Sequence, residues 1–203
     1  MRRYHTIINR TGIRPERALE VGGLMGESSL LRFPELAKAD RYCLDLVERR
    51  SAHGITAIKG NANDMRGLFR SDWFDLVVCN ATLEHDKRFW RSVAEMRRVL
   101  RPGGLLIISV PGYVKDPEND HGRSTYTYRV HCSHDYYRFS EQAVRQVFFE
   151  GMERVLVHPF MTPPRIVGHG YKPLPPSRAT RAKKVARRAA RRARRLAARR
   201  RQR

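Results

Sequence analysis

Residues 17–26, with the sequence RALEVGGLMG, combine an apolar run, an acidic side chain and a cluster of glycines. Glu20 lies near the end of the run, and Gly22, Gly23 and Gly26 follow it. A strand that turns through glycines into a helix lets the backbone approach a nucleotide-like ligand, because no side chain intervenes. Glycines also punctuate ordinary loops. The segment alone is compatible with both interpretations, and the strands that follow it favour a ligand site.

Further polar residues follow the next three apolar segments. Asp45 ends the second segment, Asn61 follows the third, and Asn80 ends the fourth. In an open parallel sheet the ligand lies beyond the carboxyl ends of the strands, so we expect these side chains to gather there. Asp45 lies 23 residues after Gly22, a spacing at which a carboxylate accepts hydrogen bonds from ribose hydroxyls. The alternative is that Asp45 caps a short helix after it.

The intervening chain alternates between apolar runs and helix-like patterns. Residues 74–80 form a nearly continuous apolar run, which is typical of a strand buried on both faces, whereas Phe89, Val93 and Met96 recur at helical spacing. The predicted strands are residues 17–22, 41–46, 55–60, 74–80, 105–111, 151–159 and 164–171. The predicted helices are residues 26–37, 86–100 and 141–150. This order predicts an α/β fold with a doubly wound, Rossmann-like, mostly parallel seven-stranded sheet whose last strand pairs antiparallel.

The composition changes near residue 173. Residues 173–176 contain three prolines, which interrupt regular structure. Residues 178–203 contain fourteen Lys or Arg and no acidic residue, so they carry +14 of the formal net charge of +21 and leave +7 for the rest of the chain. The sequence predicts one domain over residues 1–172, followed over residues 173–203 by a Pro-rich linker and an Arg/Ala-rich basic tail.

We expect the basic tail to be a helix or a disordered extension. Its apolar stripe is mostly alanine, which disfavours deep membrane insertion, and its charge favours nucleic acid or an anionic membrane surface as partner. No apolar segment approaches the roughly 20 residues that span a bilayer, and the MRRYH start lacks the apolar region of a secretory signal. The sequence therefore predicts a cytoplasmic protein without a transmembrane segment.

The segment from Phe74 to Gly112 carries the most specific pattern in the chain. It reads FDLVVCNATLEHDKRFWRSVAEMRRVLRPGGLLIISVPG, with Asn-x-x-Leu-Glu-His after the fourth predicted strand and Arg-Pro-Gly-Gly before the fifth. Over roughly residues 15–160 the chain resembles the class I S-adenosylmethionine-dependent methyltransferases, most closely their small-molecule branch. The resemblance implies S-adenosyl-L-methionine as the cofactor.

The resemblance also implies which residues bind that cofactor. The residues are Glu20, Gly22, Gly23, Gly26, Asp45, Asn61, Ala62 and Asn80. The glycine turn and Asn80 would lie on the methionine side, Asp45 would hold the ribose hydroxyls, and Asn61 with Ala62 would lie against the adenine. Leu24 stands where the family usually has the middle glycine of the turn, and its side chain would crowd the approach of the backbone to the ligand.

Methyl transfer to a hydroxyl requires an aligned acceptor and a group that takes its proton. The long connection over residues 112–139 has the length of a functional lid and contains tyrosines suited to stacking on a sugar or a planar acceptor. The candidate bases are His121, His131, His134 and Asp135. The resemblance adds that residues 134–140 are similar to a segment of sugar- and polysaccharide-modifying methyltransferases. The side chains at 131, 134 and 135 also have metal-ligand types, but no fourth ligand at comparable spacing is evident, so no metal is predicted.

Two functions from different classes are compatible with these observations. The first is an enzyme that transfers the methyl group of S-adenosylmethionine to a small-molecule or saccharide acceptor, at oxygen. The second is a degenerate methyltransferase-fold scaffold that binds nucleic acid or anionic surfaces through residues 178–203. Methylation of nucleic-acid bases is disfavoured, because the fourth predicted strand ends in Asn-Ala-Thr-Leu rather than the Asn-Pro-Pro-Tyr typical of that chemistry.

Overall fold

The computed structural model describes residues 2–23, 25, 29–115, 124–125, 134–161 and 164–176. The chain divides into two compact units, Met1–Pro173 and Leu174–Arg203. In the second unit the described residues, 174–176, have no regular secondary structure. The predicted basic tail over residues 178–203 lies outside the described residues.

The first unit consists of one sheet with helical segments on both faces. The strands are β1 (Arg17–Val21), β2 (Asp40–Asp45), β3 (Ile55–Lys59), β4 (Phe74–Asn80), β5 (Leu100–Lys115), β6 (Ser124–Thr125), β7 (Phe139–Ser140), β8 (Glu153–Met161) and β9 (Pro164–Tyr171). The α-helices are α1 (Arg2–Thr11), α2 (Phe89–Val99) and α3 (Glu141–Ala143). The 3₁₀ turns are Leu30–Arg32, Pro34–Leu36 and Leu83–His85, and a π-helical turn, Val144–Phe148, continues α3.

The order of the strands confirms the doubly wound α/β prediction. Seven strands lie side by side in the order β3-β2-β1-β4-β5-β9-β8, and the short strands β6 and β7 pair with β5. The five strands β1 to β5 are mutually parallel, whereas β9 is antiparallel to both β5 and β8. The chain moves outward from β1 to β3 and then returns to the other side of β1 to form β4. The switch point of the sheet therefore lies between β1 and β4, where an open α/β sheet binds its ligand.

Two apolar clusters cover the two faces of the sheet. On one face, α2 and the π-helical turn pack on the strands through side chains such as Val93, Met96 and Phe148. On the other face, α1 and the first two 3₁₀ turns pack on the strands through side chains such as Ile8, Leu31 and Leu36. Successive residues of β1 and β4 alternate between these clusters, as the pleat of a strand requires. Both faces of the central strands are buried, which explains their continuous apolar sequence.

Several predicted helices differ in the structure. A single helix over residues 26–37 is wrong, because the described part forms two 3₁₀ turns. Phe33 is extended (φ −62°, ψ 137°) between them, and Pro34 after it both disfavours helical backbone at Phe33 and lacks an N–H. The helix predicted from Asp86 begins three residues later, at Phe89, and the one predicted over residues 141–150 changes from α to π hydrogen bonding at Val144.

Helix α1 was not predicted, although its sequence carries a signal for it. Tyr4, Ile7 and Ile8 are buried at spacings of three and four, which is one apolar stripe of a helix.

Among the described residues, none of the helices combines the length and apolarity needed to cross a bilayer.

Candidate active site

A cavity of about 340 Å³ lies at the carboxyl ends of the parallel strands. Its wall contains Gly22 after β1, Asp45 at the end of β2 and Asn61 after β3. Four of the eight residues predicted to bind the cofactor line it together: Gly22, Asp45, Asn61 and Ala62. The topology brings these positions together because the ends of parallel strands share one edge of the sheet. The rest of the wall is formed mainly by residues 82–83, residues 85–88 and Tyr136, whereas Glu84 is not part of it.

Gly22 is required by a close approach of Thr82. Gly22 has φ +72°, and a Cβ built on it would lie 2.2 Å from Thr82 Cγ2 and 2.3 Å from Thr82 Oγ1. Ala81 has the left-handed φ of +51°, unusual for a residue with a Cβ, at the turn that follows β4. Strained backbone of this kind concentrates at functional sites. The glycine thus fits the turn after β1 against the turn after β4, at the switch point of the sheet.

The side chain of Glu20 packs against Gly23 and is hydrogen-bonded to the residues that follow the glycine turn. Its side chain is buried, accepts a hydrogen bond from Ser29 Oγ at 2.6 Å, and accepts another from the Leu30 N–H at 3.2 Å. Burial raises the pKa of Glu20, and these two hydrogen bonds partly offset that effect. A Cβ on Gly23 would lie 2.4 Å from Glu20 Cδ. Glu20 therefore joins the two ends of the turn, while Gly26 and Leu24 lie outside the described residues.

Asp45 points its carboxylate at the cavity but already has two partners. Its Oδ2 accepts from Arg49 Nε at 2.5 Å, and its Oδ1 accepts from the Val47 N–H at 3.1 Å. A carboxylate offers about four acceptor sites, so two further hydrogen bonds remain possible. No helix follows β2 in the structure, so the alternative role of Asp45 as a helix cap is wrong.

The far wall of the cavity is fixed by a small polar network. Asn61 accepts at Oδ1 from the Asn63 N–H at 2.9 Å. Asn63 Nδ2 in turn donates to Asp86 Oδ2 at 2.6 Å and to Ser92 Oγ at 2.8 Å. The loop after β3 is thereby attached to the start of α2, which holds Asn61 and its neighbour Ala62 in the wall.

Asn80 is turned away from the cavity wall toward α1 and β9. Its Oδ1 accepts from Arg165 Nη1 at 2.8 Å, and Tyr4 OH donates to the Cys79 carbonyl at 2.9 Å. Burial raises the pKa of Glu84, and the positive charge of Arg165, which lies over the end of β4, partly offsets that rise. Cys79 itself is fully buried, and its free thiol has a raised pKa because of that burial, as expected for a small core residue.

Of the predicted bases, His134 and Asp135 lie in the described residues, whereas His121 and His131 lie outside them. Asp135 is buried and makes a bidentate ion pair with Arg138, with N–O distances of 2.5 and 2.7 Å. His134 is exposed, and its carbonyl accepts from the ring of His85, which lines the cavity. The segment is therefore attached beside the cavity, although neither predicted base is part of its wall.

Glu84 is a buried acid whose backbone is hydrogen-bonded to this segment. It is 1% exposed, its backbone carbonyl accepts from the N–H groups of Tyr136 and Tyr137, and its Oε2 has no hydrogen-bond partner among the described residues. Burial raises the pKa of Glu84, and the negative charge of Asp135 adds to the effect. Leu83 and His85 on either side both line the cavity.

Sequence reasoning missed four residues that shape the site: Arg49, Thr82, Glu84 and Arg165. Thr82 and Glu84 lie in the NATLEH block, which signals a site but not the role of each side chain. Arg165 carries no local signal, because its partner Asn80 is 85 residues away in sequence and is reached only through the fold. Arg49 lies four residues after its partner Asp45, but the sequence of the loop does not by itself indicate that the two side chains pair.

The comparisons with known proteins agree with this geometry. Residues 33–108 match the model of a family described as "Methyltransferase domain". Over 114 residues the chain is 30% identical to malonyl-[acyl-carrier protein] O-methyltransferase of Methylococcus capsulatus, which is 52% of this chain and 41% of that protein. The matched segment thus spans about two fifths of the relative.

Two solved structures share the fold. One is the phosphoethanolamine N-methyltransferase 2 of Haemonchus contortus in complex with S-adenosyl-L-methionine, with a TM-score of 0.62 and 14% identity over 85% of this chain and 53% of that one. The other is the 1,6-didemethyltoxoflavin-N1-methyltransferase of Burkholderia thailandensis, with a TM-score of 0.59 and 19% identity over 85% and 78% of the two chains. With the strand order and the cavity at the switch point, these similarities show that the chain has the same α/β fold as these two methyltransferases, and that residues 33–108 match a methyltransferase-domain model.

Proposed function

We propose that this protein transfers the methyl group of S-adenosylmethionine to an oxygen atom of a small-molecule or saccharide acceptor. The observation that carries the proposal is the cavity at the switch point, which gathers Gly22, Asp45, Asn61 and Ala62 from three separate turns. These are the positions at which the family's resemblance implies contacts to the methionine, ribose and adenine parts of the cofactor.

The hydrogen-bond acceptors and the apolar surfaces of the cavity fit an adenosyl group. Asp45 retains acceptor capacity for the two ribose hydroxyls, and Leu44, Leu46 and Ala62 provide apolar surface for a planar base. Gly22 lines the part of the cavity that we assign to the methionine. When bound, S-adenosylmethionine supplies a methyl group already activated on a sulfonium, so the chain itself must position the acceptor and accept its proton.

Glu84 is the group we assign to proton acceptance, together with the predicted candidates His134 and Asp135. A general base works best when its pKa lies near the operating pH, and burial moves the pKa of Glu84 in that direction. The bidentate ion pair with Arg138 fixes the position of the Asp135 side chain, whose negative charge acts on Glu84. His134 is connected to the cavity through the hydrogen bond from His85.

Two observations support an oxygen acceptor with a flat or sugar-like surface. Tyr136 lines the cavity and is 39% exposed, so its ring is accessible to an acceptor. The relative from Methylococcus capsulatus is itself an O-methyltransferase. Because the solved structures above include N-methyltransferases, the acceptor atom is a point that the experiment must decide.

The test is formation of S-adenosylhomocysteine, followed by mass spectrometry, with a panel of monosaccharides, phenols, carboxylic acids and amines as acceptors. We expect turnover with a hydroxyl or carboxylate acceptor. With that acceptor, Glu84→Gln should lose about 10²–10⁴-fold in rate while cofactor affinity stays within about twofold. The exposed Glu150→Gln is the matched control. Equal rates for parent and Glu84→Gln would assign the base to His134 or Asp135, which are tested by the same assay as alanine variants.

The basic tail supports a second activity, binding of nucleic acid or an anionic membrane surface. Residues 178–203 carry fourteen positive charges and no negative one, which is the composition of a polyanion-binding segment. In the scaffold alternative this activity is the principal one. The scaffold alternative is favoured by the hydrogen bond from Arg49 to Asp45, because this bond uses part of the acceptor capacity predicted to bind the ribose.

A further inference from the structure

A second cavity, of about 500 Å³, lies between α1 and the β8–β9 hairpin. It shares no lining residue with the cavity at the switch point. Helix α1 contributes Arg3, Thr6, Ile7 and Arg10, which lie three, four and seven residues apart on one helical face. The methyl-transfer chemistry proposed above uses none of these side chains, so the cavity requires a separate explanation.

The floor of this cavity is formed by alternate residues of the hairpin. His169 on β9 lies opposite Leu156 on β8, and the rings of His169 and His158 stack with centroids 5.9 Å apart and an interplanar angle of 19°. Phe160 and Tyr171 complete the aromatic surface. The pleat places these side chains on the face of the hairpin that α1 covers.

Three guanidinium groups surround the floor. Arg3 Cζ lies 3.8 Å from the ring centroid of Phe160, and Arg154 Cζ lies 4.0 Å from that of Tyr171. Arg10 is the third. None of the residues that line the cavity is acidic, and in the described part of the chain no carboxylate forms an ion pair with these three arginines. A guanidinium stacked on a ring keeps its N–H edge available to an anion.

The position of Arg154 depends on strained backbone. Its φ is +50°, and the register of β8 against β9 shifts between Glu153 and Leu156. A left-handed conformation is unfavourable for a residue with a long side chain, and bulges in strands often redirect a side chain next to a functional site. Here the irregularity directs Arg154 over Tyr171 and into the cavity wall.

His169 is a polar group without a partner at the floor. It is 7% exposed, and its Nδ1 is buried with no hydrogen-bond partner among the described residues. Burial and the neighbouring His158 lower the pKa of His169, which keeps its imidazole neutral. A buried polar atom left unpaired is costly, and a polar ligand in the cavity would remove that cost.

We propose that this cavity binds the phosphate group of a small phosphorylated molecule. Three arginines without a carboxylate partner match a multiply charged oxyanion better than a single carboxylate, and guanidinium forks match the geometry of phosphate oxygens. His169 supplies a neutral hydrogen-bonding group at the base of the site, and the aromatic rings provide surface for the rest of the molecule. The volume is that of a small-molecule site rather than of a polymer groove.

The test uses the full chain with ¹⁵N-labelled histidine, whose His169 ring signals are assigned with a His169→Asn variant. The probes are inorganic pyrophosphate, citrate, and vesicles that contain phosphatidic acid. With pyrophosphate we expect the His169 signal to shift and saturate, at a concentration about tenfold or more below that needed with citrate. Any anion binding by residues 178–203 is common to all variants, so the comparison between variants isolates the response of the cavity.

The variant Arg3→Ala/Arg10→Ala/Arg154→Ala should weaken the pyrophosphate response at least about tenfold. Arg91→Ala, an exposed arginine outside both cavities, should leave the response unchanged. Arg154→Gly relieves the left-handed strain, so it tests the loss of the guanidinium in a variant that is no less stable than the parent. The proposal is overturned if pyrophosphate does not move the His169 signal, if citrate binds as tightly, or if only the vesicles produce a response.

Discussion

Arg49 Nε donates to Asp45 Oδ2 at 2.5 Å, so the carboxylate predicted to hold the cofactor's ribose is paired within its own loop. The pair is partly exposed, with side-chain accessibilities of 31% for Arg49 and 17% for Asp45. A cofactor that enters the cavity therefore meets a carboxylate whose two oxygens each have a partner to displace or to share.

Removal of this partner should strengthen cofactor binding. We expect Arg49→Ala to bind S-adenosylmethionine about two- to fivefold more tightly, because a half-exposed ion pair contributes up to about 1 kcal/mol. Titration calorimetry measures the change, and Arg50→Ala, the exposed neighbour, is the control. Weaker binding by Arg49→Ala would show instead that the arginine orients Asp45 for the ribose.

The glycine turn should not tolerate a single added methyl group. Gly22→Ala places a Cβ about 2.2 Å from Thr82 Cγ2 at a φ of +72°, and we expect a loss of about 1–3 kcal/mol in the free energy of unfolding together with weaker cofactor binding. Urea denaturation followed by circular dichroism measures the first effect. At Gly67 a Cβ meets nothing within 4 Å, so Gly67→Ala is the matched control, and an equal loss at both positions would argue against the close approach of the two turns.

The buried Glu84 should make stability depend on pH. Its pKa is raised in the folded protein, so the stability that it contributes is fully present below its unfolded pKa of about 4.3 and is lost as the pH rises through the folded pKa. Glu84→Gln removes this titration. The melting temperature of the variant should therefore exceed that of the parent by more at pH 7.5 than at pH 4, whereas a constant difference would contradict the raised pKa.

The basic tail should bind polyanions independently of the domain. Deletion of residues 178–203 should leave the melting temperature nearly unchanged, because the tail has few large apolar residues. It should also remove most of the salt-dependent retention on nucleic acid or anionic vesicles, since each neutralised phosphate adds about 0.7–0.9 to the slope of log affinity against log salt. If the shortened chain keeps the full slope, the polyanion-binding surface lies on residues 1–177.

The strands could be predicted from sequence because each central strand is a short apolar run that ends in a polar or turn residue. Burial on both faces makes such runs continuous, so the predicted range 74–80 coincides with β4. The predicted range 164–171 also coincides with β9, although its glycines interrupt the apolar run. The helices were less predictable. Pro34 divides the segment after the glycine turn into 3₁₀ turns, although the leucines around it have helical spacing.

The position of the candidate site could be predicted from the sequence, but the hydrogen bonds between its side chains could not. Gly22, Asp45 and Asn61 gather in one cavity because strand order alone brings them together. The Asn80–Arg165 pair joins residues 85 positions apart, and the Asp45–Arg49 pair, although only four positions apart, depends on the conformation of the loop after β2. The second cavity was not predicted either, because it is formed by the two ends of the domain, α1 and the β8–β9 hairpin.

The most direct test of the account is a calorimetric titration of the full chain with S-adenosylmethionine and with S-adenosylhomocysteine. We predict that one equivalent of each binds per chain. Asp45→Ala should weaken both at least about tenfold, with an unchanged melting temperature, since hydrogen bonds to a charged group contribute about 1.5–3 kcal/mol. Absence of binding by the parent chain, or equal affinity in parent and Asp45→Ala, would contradict the assignment of the switch-point cavity as a cofactor site.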